Sequence, residues 1–87
     1  KMKNNYSNYF VDAFDTLQDA IIDNDDVKIK YHKWNGEKST RTITPERFTF
    51  VKRFKSRYDR LCIKAFCHLR KEDRIFAVYR IDEASIV

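Results

Sequence analysis

Near residue 26 the spacing of apolar residues changes from that of a helix to that of a strand, and this switch limits the folds open to the chain. Upstream, Phe10, Phe14, Leu17 and Ile21 recur at intervals of four, three and four, one stripe of a 3.6-residue repeat with aspartates on the other faces. The spacing predicts a helix ending near Asp23-Asn24. Downstream, Val27, Ile29 and Tyr31 alternate with Lys28, Lys30 and His32, the two-residue period of a half-buried strand. A helix with one apolar stripe must be covered, most economically by the sheet that follows it.

The rest of the chain stays in the strand period. Asn35-Gly36 suits a two-residue hairpin turn. Thr40, Thr42 and Thr44 then alternate with Arg41, Ile43 and Pro45, where a proline without an amide proton should break, bend or edge the strand. Strand character resumes over Arg47–Val51, and the charged stretch Lys52 to Asp59 reads as a loop or hairpin tip. A third strand is expected to set Leu61, Ile63, Ala65, Cys67 and Leu69 on one face and Cys62, Lys64, Phe66, His68 and Arg70 on the other. Lys71-Glu72-Asp73 reads as a turn before a last strand, Arg74 to Ile81. The expected fold is therefore mainly β: an N-terminal helix within residues 1–25, then a small five-stranded antiparallel barrel over 26–87, closed so that no edge stays exposed.

Composition excludes several functions. One glycine and one proline in 87 residues leave no material for the glycine-rich phosphate loops of nucleotide-binding folds. No stretch is long and apolar enough to span a bilayer, so no membrane partner is expected. Cys62 and Cys67 on one strand would face opposite ways and stay reduced, as in a cytoplasmic protein. His32, His68, Cys62 and Cys67 lack the spacing of a metal site. Cys67 adjoins His68, but neighbours on a strand diverge, so no thiol–imidazole pair for nucleophilic catalysis is expected. The chain reads as a non-enzyme without metal or cofactor.

Charge gives the positive indication. Residues 1–26 carry a net −4 and the remainder +9, of which +7 falls between Arg47 and Arg74. Such density attracts polyanions. Lys64, Phe66, His68 and Arg70 on one strand and Arg74, Phe76, Val78 and Arg80 on the next would interleave cations with rings if their faces coincide. That combination suits single-stranded nucleic acid, whose bases stack on rings while its phosphates meet Arg and Lys. The alternative is that the phenylalanines are core and the cations only solvated. Arg41, Arg74 and Arg80 each lie among apolar neighbours, and a partly buried guanidinium requires an anion, from the protein or from a ligand.

The ordered set Ala20-Ile21, Val27-x-Ile29-x-Tyr31, Gly36, Arg41-Thr42-Ile43-Thr44-Pro45, Ala65-Phe66-Cys67-x-Leu69-Arg70 and Arg74-x-Phe76-x-x-x-Arg80-Ile81 resembles the WYL domain, over about residues 17–84. The resemblance implies an SH3-like or Sm-like five-stranded barrel behind a helix. It also implies a regulatory module of bacterial transcription regulators or of Pif-family helicases, sensing nucleic acids or nucleotides, notably single-stranded DNA. By position, the family's basic and aromatic pocket falls on Tyr31, Arg41, Arg74 and Arg80, to which strand geometry adds Lys64, Phe66, His68 and Arg70. The sequence departs from the family where Leu61-Cys62-Ile63 replaces the namesake Trp-Tyr-Leu and where Ala77 and Tyr79 replace Arg and Asp.

The expected function is thus single-strand binding, to DNA in preference to RNA, that modulates a linked domain of a parent protein, with occupancy relayed through the N-terminal helix. Tyr31, Phe66 or Tyr58 would stack a base. Two rivals remain open: a protein-interaction or homodimerisation module with a basic docking face, and a sensor of a small anionic nucleotide.

Overall fold

The computed structural model describes residues 8–52 and 59–87. One helix, α1 (Asn8–Asp23), precedes five strands: β1 (Val27–His32), β2 (Lys38–Lys52), β3 (Asp59–Cys67), β4 (Glu72–Ala77) and β5 (Ile81–Ile86). The strands form one antiparallel sheet in the order β4-β3-β2-β1-β5, with a 3-10 turn, Val78–Arg80, between its two end strands.

α1 stops where the sequence indicates. Asn24 takes a left-handed conformation (φ 59°), which asparagine tolerates better than most residues, and the Asp25 amide donates back to the Ala20 carbonyl at 2.9 Å. The helix lies chiefly on β5 and then on β2. Its fully buried stripe is Ala13, Leu17 and Ala20, rotated slightly from the expected one. Alanines let the helix backbone approach the sheet, while the larger Phe14 and Ile21 flank the contact and Phe14 stacks on Phe48 with ring centroids 4.5 Å apart.

The core row is the one the two-residue period marks: Val27 and Ile29 from β1, Ile43 from β2, Ile63, Ala65 and Cys67 from β3. Pro45 does not end its strand. β2 runs unbroken past it, and the register with β3 shifts between Pro45 and Arg47, so the ladder absorbs the missing donor in a bulge at Glu46. The turn between β1 and β2 is longer than the expected Asn-Gly pair. The Gly36 amide donates to the Lys33 carbonyl at 2.9 Å, the Asn35 side chain accepts from the Glu37 amide at 3.0 Å, and Gly36 supplies the positive φ of 87° that closes the loop.

Three further expectations need correcting. β3 ends at Cys67, so His68 and Arg70 belong to the following turn rather than to a strand face. Glu72 and Asp73 lie in β4, not in the turn. The apolar run from Arg74 to Ile81 is two strands interrupted by the 3-10 turn, which Val78 anchors in the core, and Arg80 therefore sits on that turn. The expected loop over Lys52 to Asp59 lies largely outside the described residues, as does Tyr58.

Hydrogen bonds do not close the sheet, because β4 and β5 stand at opposite ends of the ladder. It is nonetheless curled. Tyr31 of β1 meets Phe76 of β4 edge-on at 5.2 Å, although two strands intervene, and flat strands in that order would stand about 14 Å apart. The Ala77 amide also donates to the Tyr31 hydroxyl at 3.4 Å. The interior is a half-closed trough, and its chemistry changes toward the β1–β2 turn.

Candidate nucleic-acid interface

Along β1 and β2 the inward pairs run Val27 with Ile43, Ile29 with Arg41 and Tyr31 with Ser39. The same two-residue step that buries Ile43 therefore directs Arg41 to the concave side two positions further on, and on β4 it sets Arg74 beside Phe76. Where the apolar row gives out, basic groups take over. They line a groove of about 440 Å³, whose wall takes Tyr31, Lys33 and Trp34 from β1 and its turn and Ser39 and Arg41 from β2. Arg60 and Cys62 of β3, Arg74 and Phe76 of β4 and Arg80 of the 3-10 turn complete the cationic side. Among the described residues no Asp or Glu lines it.

Arg41 is the central cation. Its Nη1–H donates to the Cys67 sulfur at 3.6 Å, and its Nε is enclosed without an acceptor. Among the described residues no carboxylate pairs with it. A guanidinium in this setting bears the cost of burial without its usual compensation, and an anion entering the groove supplies what is missing. Cys67 is affected in turn. Burial pushes its thiol up, but the Arg70 amide, the Arg41 guanidinium and the Leu69 amide outweigh that and hold it below the ordinary thiol range. Replacing Arg41 with Gln is expected to raise the Cys67 pKa, followed by the ultraviolet absorbance of the thiolate against pH. The sign extends to stability. A thiol depressed in the folded state stabilises the fold once pH exceeds the unfolded thiol value, and that contribution fades as pH falls through the folded value. Cys67→Ser should flatten this alkaline rise in the urea midpoint.

The other cations are less uniform. Arg74 stands 3.3 Å from Glu72 and Lys33 3.0 Å from Glu37, both solvent-exposed pairs that a ligand can displace at little cost. Arg80 Nε–H donates to the Tyr79 hydroxyl at 3.0 Å, and Arg60 Nη1–H donates to the same oxygen. Trp34, at the tip of the β1–β2 turn, is 80% exposed at the lip of the groove, an unpacked ring suited to stacking.

Of the residues expected from sequence, Tyr31, Arg41, Arg74 and Arg80 share this groove, and Lys64, Phe66, His68 and Arg70 lie off it. Lys64 Nζ is 3.7 Å from Glu46, the carboxylate that the β2 bulge turns toward β3. Phe66 is exposed and meets the His68 ring edge-on at 5.5 Å. His68 Nε2 is 2.7 Å from the Thr44 hydroxyl, which itself donates to Asp26 at 2.7 Å. A hydroxyl that gives its one proton to Asp26 accepts from His68, so this histidine ties the β3–β4 turn to Thr44 within β2 and, through it, to Asp26 just before β1. Arg70 is exposed in that turn. Trp34, Lys33 and Arg60 are groove residues the sequence reading missed. For Trp34 a signal existed, since an aromatic next to Asn35-Gly36 has to ride on a turn.

Among the described residues no three His, Cys, Asp or Glu side chains converge as a metal site would need, and no helix is long and apolar enough to cross a membrane. Comparison with known proteins bears on the whole chain. A family model described as the WYL domain matches residues 12–86. Among solved structures, proteasome accessory factor B/C (PafBC) of Arthrobacter aurescens superposes with a TM-score of 0.74 at 19% identity, over 97% of this chain. The chain spans 12% of that protein's length. No curated protein sequence gives a significant match.

Proposed function

The chain belongs to the WYL domain family, and from that membership together with the groove we propose that it is a non-catalytic regulatory module that binds single-stranded DNA and modulates a linked helicase or transcription-regulator domain in the cytoplasm. The observation that carries the reading is Arg41, a half-buried guanidinium with an enclosed, unpartnered Nε at the centre of a groove to which the described residues contribute no acid. Arg41 and Arg80 meet phosphates, Arg74 exchanges Glu72 for a third, and a base stacks on Trp34 or Tyr31. Such stacking contributes about 1–3 kcal/mol per base. A duplex keeps its ring faces stacked internally and offers the groove only phosphates, so single strands are preferred.

A path to regulation runs through the 3-10 turn. Arg80 faces the groove, while Val78 of the same turn is fully buried and the turn touches α1. Ligand pulling on Arg80 is thereby mechanically connected to the helix. The groove's volume also falls within the range of small-ligand sites, which favours a small anionic nucleotide as the second reading. The test is titration with labelled single- and double-stranded DNA and with RNA at two salt concentrations. Tighter binding of single-stranded DNA, weakening steeply with salt, is expected. No oligonucleotide binding alongside thermal stabilisation by a mononucleotide would transfer the assignment to the second reading.

A further inference from the structure

Tyr79 does not line the groove, yet it holds two of the groove's cations. Arg60 Nη1–H and Arg80 Nε–H donate to the same phenol oxygen, and both guanidinium carbons stand over its ring, at 5.0 and 5.3 Å from the centroid. These two arginines come from distant parts of the chain, β3 and the 3-10 turn, and nothing in their local structure requires them to meet. Among the described residues neither is paired with a carboxylate. A phenol hydroxyl accepts hydrogen bonds without being a carboxylate, so Tyr79 brings two positive charges together without forming an ion pair with either. The charges repel, and an anion placed between them removes the repulsion. Each guanidinium has five N–H donors and spends one on Tyr79, which leaves the rest for a ligand.

We infer that Tyr79 is a positioning residue that builds an anion subsite from Arg60 and Arg80, separate from Arg41 on its Cys67 anchor, and that this subsite takes one phosphate group. The inference rests on the groove reading above and deepens it, adding a second phosphate position and the residue that assembles it. Arg41 answers to a sulfur and the Arg60–Arg80 pair to a phenol, so the two positions can be disabled independently.

The test uses the full chain and two probes. Inorganic phosphate is titrated while the guanidinium NMR signals of Arg60 and Arg80 are followed, and a short labelled oligo-dT strand is titrated by fluorescence anisotropy. In the wild type both arginine signals should move with one midpoint. Tyr79→Phe keeps the ring and loses the shared acceptor. It should weaken phosphate and oligo-dT by about 3- to 10-fold, the scale of one positioning hydrogen bond, and should split the two midpoints. Tyr79→Glu, which sets a carboxylate against the pair and cancels one of its two charges, should weaken the phosphate response more than Tyr79→Phe does. Tyr79 is 46% exposed, so folding should survive both changes.

The subsite is overturned if Tyr79→Phe matches wild type for both probes, or if Arg60 and Arg80 titrate with different midpoints in the wild type. Were oligo-dT to bind in an Arg41-dependent way under either result, the groove reading would stand without it. If phosphate moves the pair while oligo-dT does not bind, the subsite holds and the nucleic-acid reading fails.

Discussion

Exchanging Arg41 and Arg80 together for alanine is expected to lower affinity for a single-stranded oligonucleotide by at least about 100-fold, because each removes a charge-assisted hydrogen bond of about 1.5–3 kcal/mol. The plot of log affinity against log salt should become shallower by about 1.4, since each phosphate contact on a single strand contributes roughly 0.7 to its slope. Anisotropy titration at several salt concentrations gives both numbers. Loss of fold is not a competing explanation. Arg41 holds an enclosed Nε with no acceptor, and among the described residues Arg80 is anchored only to the exposed Tyr79, so the thermal midpoint should hold or rise. Arg74→Ala should have a smaller effect, because Arg74 must first leave Glu72. Unchanged affinity in the double variant would refute the groove as the binding site.

These residues were legible in the sequence for a reason that strand periodicity alone does not provide. Tyr31, Arg41, Arg74 and Arg80 come from three separate segments, and only the ordered family pattern joins them. Of the four residues added by alternation, Lys64 and Phe66 alternate with the core row Ile63, Ala65 and Cys67 and so face away from the concave side, while His68 and Arg70 lie past the strand, because alternation says which side chains share a face but neither which face is concave nor where a strand stops. β3 ends at Cys67, Lys71 takes a positive φ of 56°, and no glycine or proline announces the turn between them. The 3-10 turn at Val78–Arg80 is silent for the same reason: Val, Tyr and Arg carry no turn chemistry, and Val78 is placed by burial in the core.

The fold was readable at the level of period and blurred at the level of packing. Both repeats mark real elements, and every residue of the row Val27, Ile29, Ile43, Ile63, Ala65 and Cys67 is buried. The helix stripe is rotated because apolar spacing weights the largest side chains, whereas close approach to a sheet selects small ones such as Ala13 and Ala20. At Pro45 the sequence leaves a break, a bend and an edge position open because the missing donor is a local fact, while the bulge that accommodates it depends on a partner strand. Closure of the barrel needs strand tilt and stagger to agree across all five strands, and no single segment encodes that. The result is a curled sheet whose ends are linked by a turn rather than by a ladder.

Phe76 belongs both to the core and to the groove, and removing it should do more damage than any other single truncation of the groove lining. It is 5% exposed, pairs with Ile63 across the ladder and carries the Tyr31 ring on its edge. Phe76→Ala is expected to cost about 3–5 kcal/mol, the range for a buried phenylalanine whose cavity does not collapse. An 87-residue domain holds about 4–13 kcal/mol in total, so the variant loses a large fraction of its stability. Phe76→Leu fills most of the void and should lose far less. Tyr31→Phe keeps the ring contact and forfeits only the 3.4 Å hydrogen bond from Ala77, about 1 kcal/mol or less. Urea unfolding should therefore rank the midpoints Tyr31→Phe, then Phe76→Leu, then Phe76→Ala, with similar slopes. Because Tyr31 leans on Phe76 to keep its place at the groove wall, the folded fraction of Phe76→Ala should also bind oligonucleotide more weakly than wild type. A Phe76→Ala chain as stable as the parent would mean that the curled interior does not extend beneath the groove, and the trough that sets Arg41 and Arg74 on one concave side would lose its support.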